Sequence, residues 1–300
     1  MRRLAACLLA LALALPAAAY ETRRVTLEHD GLTRTAILDA APGLSNAPAL
    51  VALHGGIGGA EWIRRRARVS LAARGWAVLW PEALDDWNDG RRDSAGRPYA
   101  ETDDVGFLRA LVAALAEDGL IDPERVYFAG PSFGGAMTPR MLCDAPEVVA
   151  GAAVAISALP AALACPADGP ARPALYLHGT EDAIMPEGGG VVGGGSLLIR
   201  DRGGIRSVPE TVGLLAARNR CDSVAETQLP DRAPEDGSTV TRRDYRGCAA
   251  PLVHYVVEGG GHTWPGAPLG SAGRLFVGAT NMDFSATRAI ERFFEGLAAD

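Results

Sequence analysis

The 300-residue chain contains no lysine, since all 29 of its basic residues are arginine. This absence excludes Schiff-base chemistry, Ser-Lys hydrolysis and nucleotide binding by a Walker motif, because each of these needs an amine at a fixed position. The formal net charge of -7 argues against a nucleic-acid partner and against binding to an anionic membrane surface. We therefore do not expect the substrate to be a polyanion.

Long apolar runs are also absent, except at the N-terminus. There, two arginines precede an apolar run over residues 4–15, and a proline with three alanines provides a small-residue cleavage site before Tyr20. This order is typical of a secretory signal peptide and not of a membrane span. We expect residues 1–19 to be a cleaved signal peptide of a secreted protein, extracellular or periplasmic. Residues 20–300 are enough for a single catalytic domain.

Cysteine is scarce, with five residues in the chain, one of which lies in the predicted signal peptide. The other four are Cys143, Cys165, Cys221 and Cys248. In an exported chain an even number of cysteines predicts disulfides, and four cysteines allow three pairings, of which we favour the sequential one. No C-x-x-C pair is present, which argues against a zinc site.

The most informative stretch covers residues 125–136. Its β-branched and aromatic residues end in the pentapeptide Gly130-Pro131-Ser132-Phe133-Gly134, and the pattern predicts a strand, a sharp turn and a helix. A G-x-S-x-G pentapeptide in that context is a nucleophile elbow, because glycines without a Cβ let the chain reverse tightly below an exposed serine hydroxyl. The alternative is an ordinary turn serine, and the choice depends on whether an acid and then a histidine follow.

An acid and a histidine do follow, each in a loop after an apolar run. The run over residues 174–178 leads into a loop with Glu181 and Asp182, two candidates for an orienting carboxylate. The run over residues 252–257 leads into a glycine-rich loop with His262, where a general base has freedom to approach the serine. The order of serine, acid and histidine is the order found in α/β-hydrolases.

The remaining signals predict an α/β fold, with a mostly parallel central sheet and helices on both faces, because short apolar runs alternate with helical segments. One run ends in a His-Gly-Gly tripeptide. We interpret it as the start of an oxyanion loop that presents the N–H of Gly56, and we expect His54 to be structural. A dinucleotide fingerprint is excluded because position 61 is glutamate. Residues 187–206 are interpreted as a low-complexity loop, and the segment 221–248 as containing a polar, proline-bearing excursion that a disulfide pins.

Four further motifs accompany the elbow: Asp103-Asp104-Val105-Gly106-Phe107, Ile121-Asp122-Pro123-Glu124-Arg125-Val126-Tyr127, His178-Gly179-Thr180-Glu181-Asp182 and Gly260-Gly261-His262-Thr263-Trp264-Pro265-Gly266. Together they resemble the secreted polyhydroxybutyrate depolymerase and feruloyl esterase group of the α/β-hydrolase superfamily. The resemblance covers nearly the whole chain after the signal peptide. It implies an α/β-hydrolase fold and the same sequential pairs of cysteines as disulfides.

By this resemblance Ser132 is the nucleophile, Asp182 the acid and His262 the base. The N–H groups of Phe133 and Gly56 then bind the oxyanion, and neither a metal nor an organic cofactor is implied. Aromatic residues that could line an acyl pocket are Trp264, Trp87 and Tyr99. The chain departs from the group at three positions, which leave the substrate preference open: Pro131, Phe133 and Pro139.

The sequence thus predicts a secreted, monomeric serine hydrolase that cleaves small or oligomeric carboxylic esters, with short-chain or oligomeric hydroxyalkanoates as the first candidate substrates. Alternatives are a feruloyl or acetyl-xylan type of esterase, an acyltransferase, and a non-enzymatic exported binding module with the same fold. We expect soluble esters to be preferred over crystalline polymer, because no linker or binding domain follows the last predicted helix.

Overall fold

The computed structural model of the protein describes residues 19–193 and 202–299. The predicted signal peptide lies outside the described residues except for Ala19, and so does part of the predicted loop 187–206. The strands are β1 (Glu21–His29), β2 (Leu32–Ala40), β3 (Ala47–Ala52), β4 (Ala77–Pro81), β5 (Ile121–Pro131), β6 (Gly151–Ala155), β7 (Ala174–Gly179), β8 (Gly190–Val191), β9 (Gly204–Ile205), β10 (Ser223–Gln228), β11 (Thr239–Arg246) and β12 (Leu252–Glu258). The helices are α1 (Gly59–Ala67), α2 (Asp104–Glu117), α3 (Ser132–Asp144), α4 (Val208–Arg218), α5 (Ser271–Val277) and α6 (Ala286–Ala298).

Ten of these strands form one sheet, in the order β1-β2-β4-β3-β5-β6-β7-β12-β11-β10. The central strands, from β4 to β12 in this order, are parallel to one another, and an antiparallel pair of strands extends the sheet at each edge. This arrangement confirms the predicted mostly parallel sheet. The carboxyl ends of the parallel strands meet at one edge, where open α/β sheets place their ligands.

Both faces of the sheet are buried, which explains why its central strands are continuous apolar runs. In β5, Val126 and Phe128 face one side, whereas Tyr127 and Ala129 face the other. Helices α2, α3 and α4 supply buried residues to the first side, and α1 and α6 to the second. The helices therefore cover both faces, as the alternation of strands and helices predicts.

The segment between Cys221 and Cys248 contains two strands that the sequence does not indicate, β10 and β11, which extend the main sheet. Most residues of β10 are exposed, so the strand lacks the apolar alternation by which half-buried strands are recognised. Its pairing with β11 includes a cross-strand ion pair, in which Arg243 Nε lies 2.8 Å from Glu226 Oε1. Charged side chains of this kind are typical of edge strands.

Two disulfides join the four cysteines in the sequential pairing, Cys143 with Cys165 and Cys221 with Cys248. The first connects the C-terminal turn of α3 to the loop between β6 and β7. The second ties the chain entering β10 to the chain leaving β11. Each disulfide thus holds a connection at the surface of the sheet.

We expect the unreduced protein to contain no titratable thiol once these cysteines are paired, and reduction to lower its melting temperature. The two bonds close loops with sequence separations of 22 and 27 residues. In the chain-entropy model, closing a loop of this size is worth about 3 kcal/mol. Thiol titration in denaturant and thermal unfolding with and without reductant provide the measurements. Two or more thiols in the unfolded, unreduced protein would contradict the pairing.

Candidate active site

The predicted elbow joins β5 to α3, and Ser132 is the first residue of that helix. Its φ of 54° lies in the left-handed region, which residues other than glycine rarely adopt. The chain on both sides of it is packed backbone to backbone. A Cβ on Gly130 would lie 2.5 Å from the carbonyl carbon of Gly134, and one on Gly134 would lie 2.5 Å from the carbonyl oxygen of Leu53. The pentapeptide therefore needs its glycines for close approach, and the strained turn is the geometry of a nucleophile elbow.

Replacing Gly134 with alanine tests this close approach. The added methyl group must displace the backbone of Leu53 and His54, directly after β3, so we expect a loss of unfolding free energy of about 1–3 kcal/mol, together with reduced activity. Gly213 on α4 offers a matched control, because no atom lies within 4 Å of a Cβ built there. Gly213→Ala is expected to gain about 0.4–1 kcal/mol. Urea unfolding curves of equal midpoint for the two variants would contradict the account.

Ser132, His262 and Asp182 form one hydrogen-bonded series. The imidazole Nε2 of His262 lies 3.0 Å from Ser132 Oγ, and its Nδ1 lies 2.7 Å from Asp182 Oδ2. The carboxylate can therefore accept a hydrogen bond from Nδ1–H, which leaves the unprotonated Nε2 free to take the serine proton. This is the arrangement that a serine, a general base and an orienting acid require.

The two candidate acids have different environments. Asp182 is 4% exposed, and its Oδ1 accepts the N–H groups of Ile184 and Met185, both at 2.8 Å, which leaves Oδ2 for His262. Glu181 is exposed, and its backbone N–H donates to the carbonyl of Gly260. The structure thus places Asp182, and not Glu181, beside the imidazole.

The loop that carries His262 is held in place by backbone contacts. The N–H of His262 donates to the carbonyl of Val277 at 2.6 Å, and that of Gly261 to the carbonyl of Ala279 at 2.9 Å. A Cβ on Gly261 would lie 2.6 Å from the Cα of Gly278. The glycines before His262 therefore permit close packing of two chain segments, a reason different from the freedom of approach that the sequence suggests. The support from residues 277–279 has no signal in the sequence.

The predicted oxyanion residues lie next to Ser132. Phe133 is the second residue of α3, and the first four N–H groups of a helix have no acceptor within that helix. A Cβ on Gly55 would lie 3.4 Å from Ser132 Cβ, and one on Gly56 would lie 2.6 Å from the ring of Phe133. Among the described residues, no acceptor is paired with the N–H of Gly56. Phe133 and Gly56 thus contact each other beside Ser132.

Phe133 is covered by Arg91, which the sequence does not single out, and by Tyr99, which it does. Its ring is 3% exposed, and the guanidinium Cζ of Arg91 lies 3.9 Å from the ring centroid. Arg91 is itself buried and paired with Asp89, with 2.7 Å between Nε and Oδ2. The ring centroids of Tyr99 and Phe133 lie 6.0 Å apart in an edge-to-face arrangement, and the Tyr99 hydroxyl donates to Asp86 Oδ2 at 2.8 Å.

The other two predicted substrate contacts lie elsewhere. Trp87 is fully buried, and its indole N–H donates to the carbonyl of His54 at 2.9 Å, so it supports the oxyanion loop instead of lining an open pocket. Trp264 donates to Thr287 Oγ1 at 3.0 Å and packs on the second face of the sheet, toward α6. Of the three aromatic residues, only Tyr99 contacts the neighbour of Ser132.

The remaining buried histidines are separate from the series of Ser132. His54 accepts the N–H of Ala83 on Nε2 at 3.1 Å, and its Nδ1 donates to the carbonyl of Gly55, which agrees with a structural role. His178 Nδ1 lies 3.0 Å from His254 Nε2, and burial lowers the pKa of both imidazoles. In the described ranges, no three His, Cys, Asp or Glu side chains are grouped closely enough to hold a metal ion.

The chain is similar to several known proteins, although no protein-family model matches it. It is 31% identical over 287 residues to "Putative esterase NocK" of Nocardia uniformis subsp. tsuyamanensis, covering 89% of this chain and 80% of the relative. It is 29% identical over 189 residues to "Feruloyl esterase C" of Emericella nidulans, covering 62% of this chain and 59% of that relative. Among solved structures, the acetyl xylan esterase from Aspergillus awamori matches with a TM-score of 0.59 over 92% of this chain and 99% of that chain, at 14% identity. The structural match shows a shared fold.

Proposed function

The chain belongs to an esterase family of the α/β-hydrolase superfamily, and from this premise we propose that it hydrolyses carboxylic esters through an acyl-enzyme formed on Ser132. The observation that carries the proposal is the series Ser132–His262–Asp182, with distances of 3.0 and 2.7 Å, at a serine whose φ is 54°. Backbone strain of this kind is common at functional sites, and here it occurs at a serine beside an oriented imidazole.

The reaction proceeds in two halves. His262 Nε2 takes the proton from Ser132 Oγ as this oxygen attacks the ester carbonyl, and the N–H groups of Phe133 and Gly56 bind the tetrahedral oxyanion. The intermediate collapses, the alcohol leaves with the proton from His262, and the acyl group stays on the serine. Water then attacks the acyl-enzyme with His262 as the base, which releases the acid and restores Ser132. Asp182 holds the imidazole tautomer and stabilises the imidazolium in both halves.

For the acyl group, we propose feruloyl-type aromatic esters as the first class and hydroxyalkanoate oligomers as the second. The name of the Emericella relative supports the first class, while the sequence motifs are common to both. Tyr99 is half-buried and lies against Phe133, the residue after the nucleophile, so it offers an aromatic contact for a substrate ring. Transfer of the acyl group to an alcohol instead of water is a variation of the same chemistry.

A comparison of soluble esters tests the substrate class. Purified enzyme is assayed with methyl ferulate, a hydroxybutyrate trimer and p-nitrophenyl acetate at equal ester concentration, with and without an added sugar alcohol as acceptor. We expect a kcat/KM for methyl ferulate at least about tenfold above that for the trimer, a ratio that one or two contacts in a pocket supply. We also expect free acid as the main product. A preference for the trimer would assign the enzyme to hydroxyalkanoates, and an excess of transfer product would make it an acyltransferase.

We further propose that the protein is exported, with residues 1–19 removed and residues 20–300 forming the catalytic unit. The two disulfides support this, because such bonds persist in oxidising compartments. The single ten-stranded sheet, which takes strands from Glu21 to Glu258, supports one catalytic unit. Within the described ranges, no helix has the length and apolarity that a membrane crossing needs. Mass spectrometry of the exported protein tests the cleavage site, and an N-terminus upstream of Tyr20 would contradict it.

A further inference from the structure

The ring of Phe133 is held between the oxyanion loop and a buried arginine. A Cβ on Gly56 would lie 2.6 Å from the ring, and the guanidinium Cζ of Arg91 lies 3.9 Å from its centroid. We propose that Arg91 is a positioning residue for the oxyanion hole: it presses the Phe133 ring against Gly56 and thereby holds the two N–H donors at their working separation. This proposal rests on the proposed function, in which those two groups bind the oxyanion.

Arg91 has little freedom to move. Its side chain and that of Asp89 are both 0% exposed, and Nε lies 2.7 Å from Asp89 Oδ2. Its Nη1 donates to the carbonyl of Arg202 at 3.0 Å, while Nη2 has no acceptor among the described residues. The planar group therefore lies over Phe133 at 3.9 Å and over Tyr99 at 4.7 Å, the geometry of a cation–π contact.

The burial of this ion pair needs an explanation beyond stability. Removing two charges from water costs as much as their attraction returns, so an apolar pair of the same volume would stabilise the fold equally well. What the pair provides is a fixed, flat cation on a ring that belongs to the residue after Ser132. A contact of this kind fixes the position of the ring, and an oxyanion hole requires hydrogen-bond donors at fixed positions.

The position of the Phe133 ring is coupled to the position of the Phe133 backbone N–H. Phe133 follows Ser132, whose φ of 54° is strained, and the first turn of α3 relaxes toward ordinary helical geometry unless contacts prevent it. Gly56 lies against Cδ2 and Cε2 of the ring, and the Arg91 guanidinium lies over the ring. Removing Arg91 opens one side, so the ring and its own backbone can shift away from Gly56. A displacement of about 1 Å in such a site can cost about 10²-fold in rate.

The chain contains a matched control in a second buried arginine. Arg34 Nη2 lies 2.5 Å from Asp104 Oδ1, the two side chains are 1% and 0% exposed, and the Arg34 Cζ lies 4.0 Å from the ring centroid of Phe107. Like Arg91, it has one buried nitrogen without an acceptor in the described chain, here Nε. Phe107 lies on α2 and is not a neighbour of Ser132. The two clusters therefore contain the same kinds of side chains, but only the Arg91 cluster includes the residue that follows Ser132.

The experiment compares Arg91→Met and Arg91→Lys with Arg34→Met and Arg34→Lys. For each variant we measure kcat and KM for p-nitrophenyl acetate, the Ki of a trifluoromethyl ketone that forms a tetrahedral adduct, and the melting temperature. We expect Arg91→Met to lower kcat by roughly 10- to 100-fold with KM within about twofold, and to raise Ki by the same factor as kcat/KM falls. Arg91→Lys keeps the charge and is expected to recover part of the loss. The Arg34 variants are expected to lose stability but less than about threefold in kcat.

Equal kcat losses in the Arg91 and Arg34 variants would overturn the proposal, and so would a loss in Arg91→Met without a matching rise in Ki. If either methionine variant does not fold, the two lysine variants decide by the same criteria. Ser132→Ala is measured in the same assays, so that failure of the proposed function can be distinguished from failure of the positioning role. An active Ser132→Ala enzyme refutes the proposed function, whereas an inactive one with equal arginine variants refutes only the positioning role.

Discussion

Replacing Ser132 with alanine is expected to lower kcat for ester hydrolysis by roughly 10⁴- to 10⁶-fold, because the residual rate then comes from the oxyanion donors and substrate binding alone. The Ser132 hydroxyl bonds to His262 Nε2, and the variant keeps the Cβ, so the fold is expected to remain intact. The measurement is kcat for p-nitrophenyl acetate, with circular dichroism and melting temperature on the same preparation.

Ser285→Ala is the matched control for the loss of a hydroxyl. Ser285 caps α6 by accepting the N–H of Arg288 on its side chain. Its loss is expected to cost about 0.5–2 kcal/mol of stability while kcat stays unchanged. If Ser132→Ala keeps more than a small fraction of the activity with a native spectrum, Ser132 is not the nucleophile.

The second large effect is expected at Asp182. Asp182→Asn should lower kcat by roughly 10⁴-fold, because an amide facing Nδ1 favours the wrong imidazole tautomer and cannot stabilise the imidazolium. Glu181→Gln is the control, since it removes a neighbouring, exposed carboxylate that makes no contact with His262. Its kcat should stay within about threefold of the parent enzyme, as expected for a surface charge.

Steady-state kinetics on the two variants, with melting temperatures as the check on folding, distinguishes the two acids. The backbone N–H groups of Ile184 and Met185 still find an acceptor in the asparagine oxygen, so the loop is expected to survive the substitution. The reverse order of effects, with Glu181→Gln the more impaired enzyme, would move the orienting acid to Glu181.

Local signals explain why much of the fold and site could be predicted. The continuous apolar run of β5 reflects a strand buried on both faces, and the glycines at 130 and 134 mark a turn where backbones touch. Ser132 and His262 each follow the end of a parallel strand, where such a sheet presents its functional groups. Asp182 follows a strand in the same way, although its choice over Glu181 depended on the family resemblance.

Features that depend on long-range packing could not be predicted. Strand β10 is an exposed edge strand, so its sequence lacks the apolar period on which a prediction rests. Arg91 lies in a polar loop, and nothing in its neighbourhood along the chain indicates burial over the ring of Phe133. Trp264 lies two residues after His262 in the sequence, but it packs toward α6. Trp87 is buried in the core, where it donates to the carbonyl of His54.

The central claim is the acyl-enzyme on Ser132, and direct observation of that species is its sharpest test. The enzyme is mixed with p-nitrophenyl acetate, quenched in acid during the first turnovers, digested and analysed by mass spectrometry. We predict an acetyl group on the peptide that contains Ser132, a burst of nitrophenol equal to the enzyme concentration when deacylation is slower than acylation, and neither signal in Ser132→Ala. An acetyl group that resides on another side chain, or an equal burst from Ser132→Ala, would contradict the account.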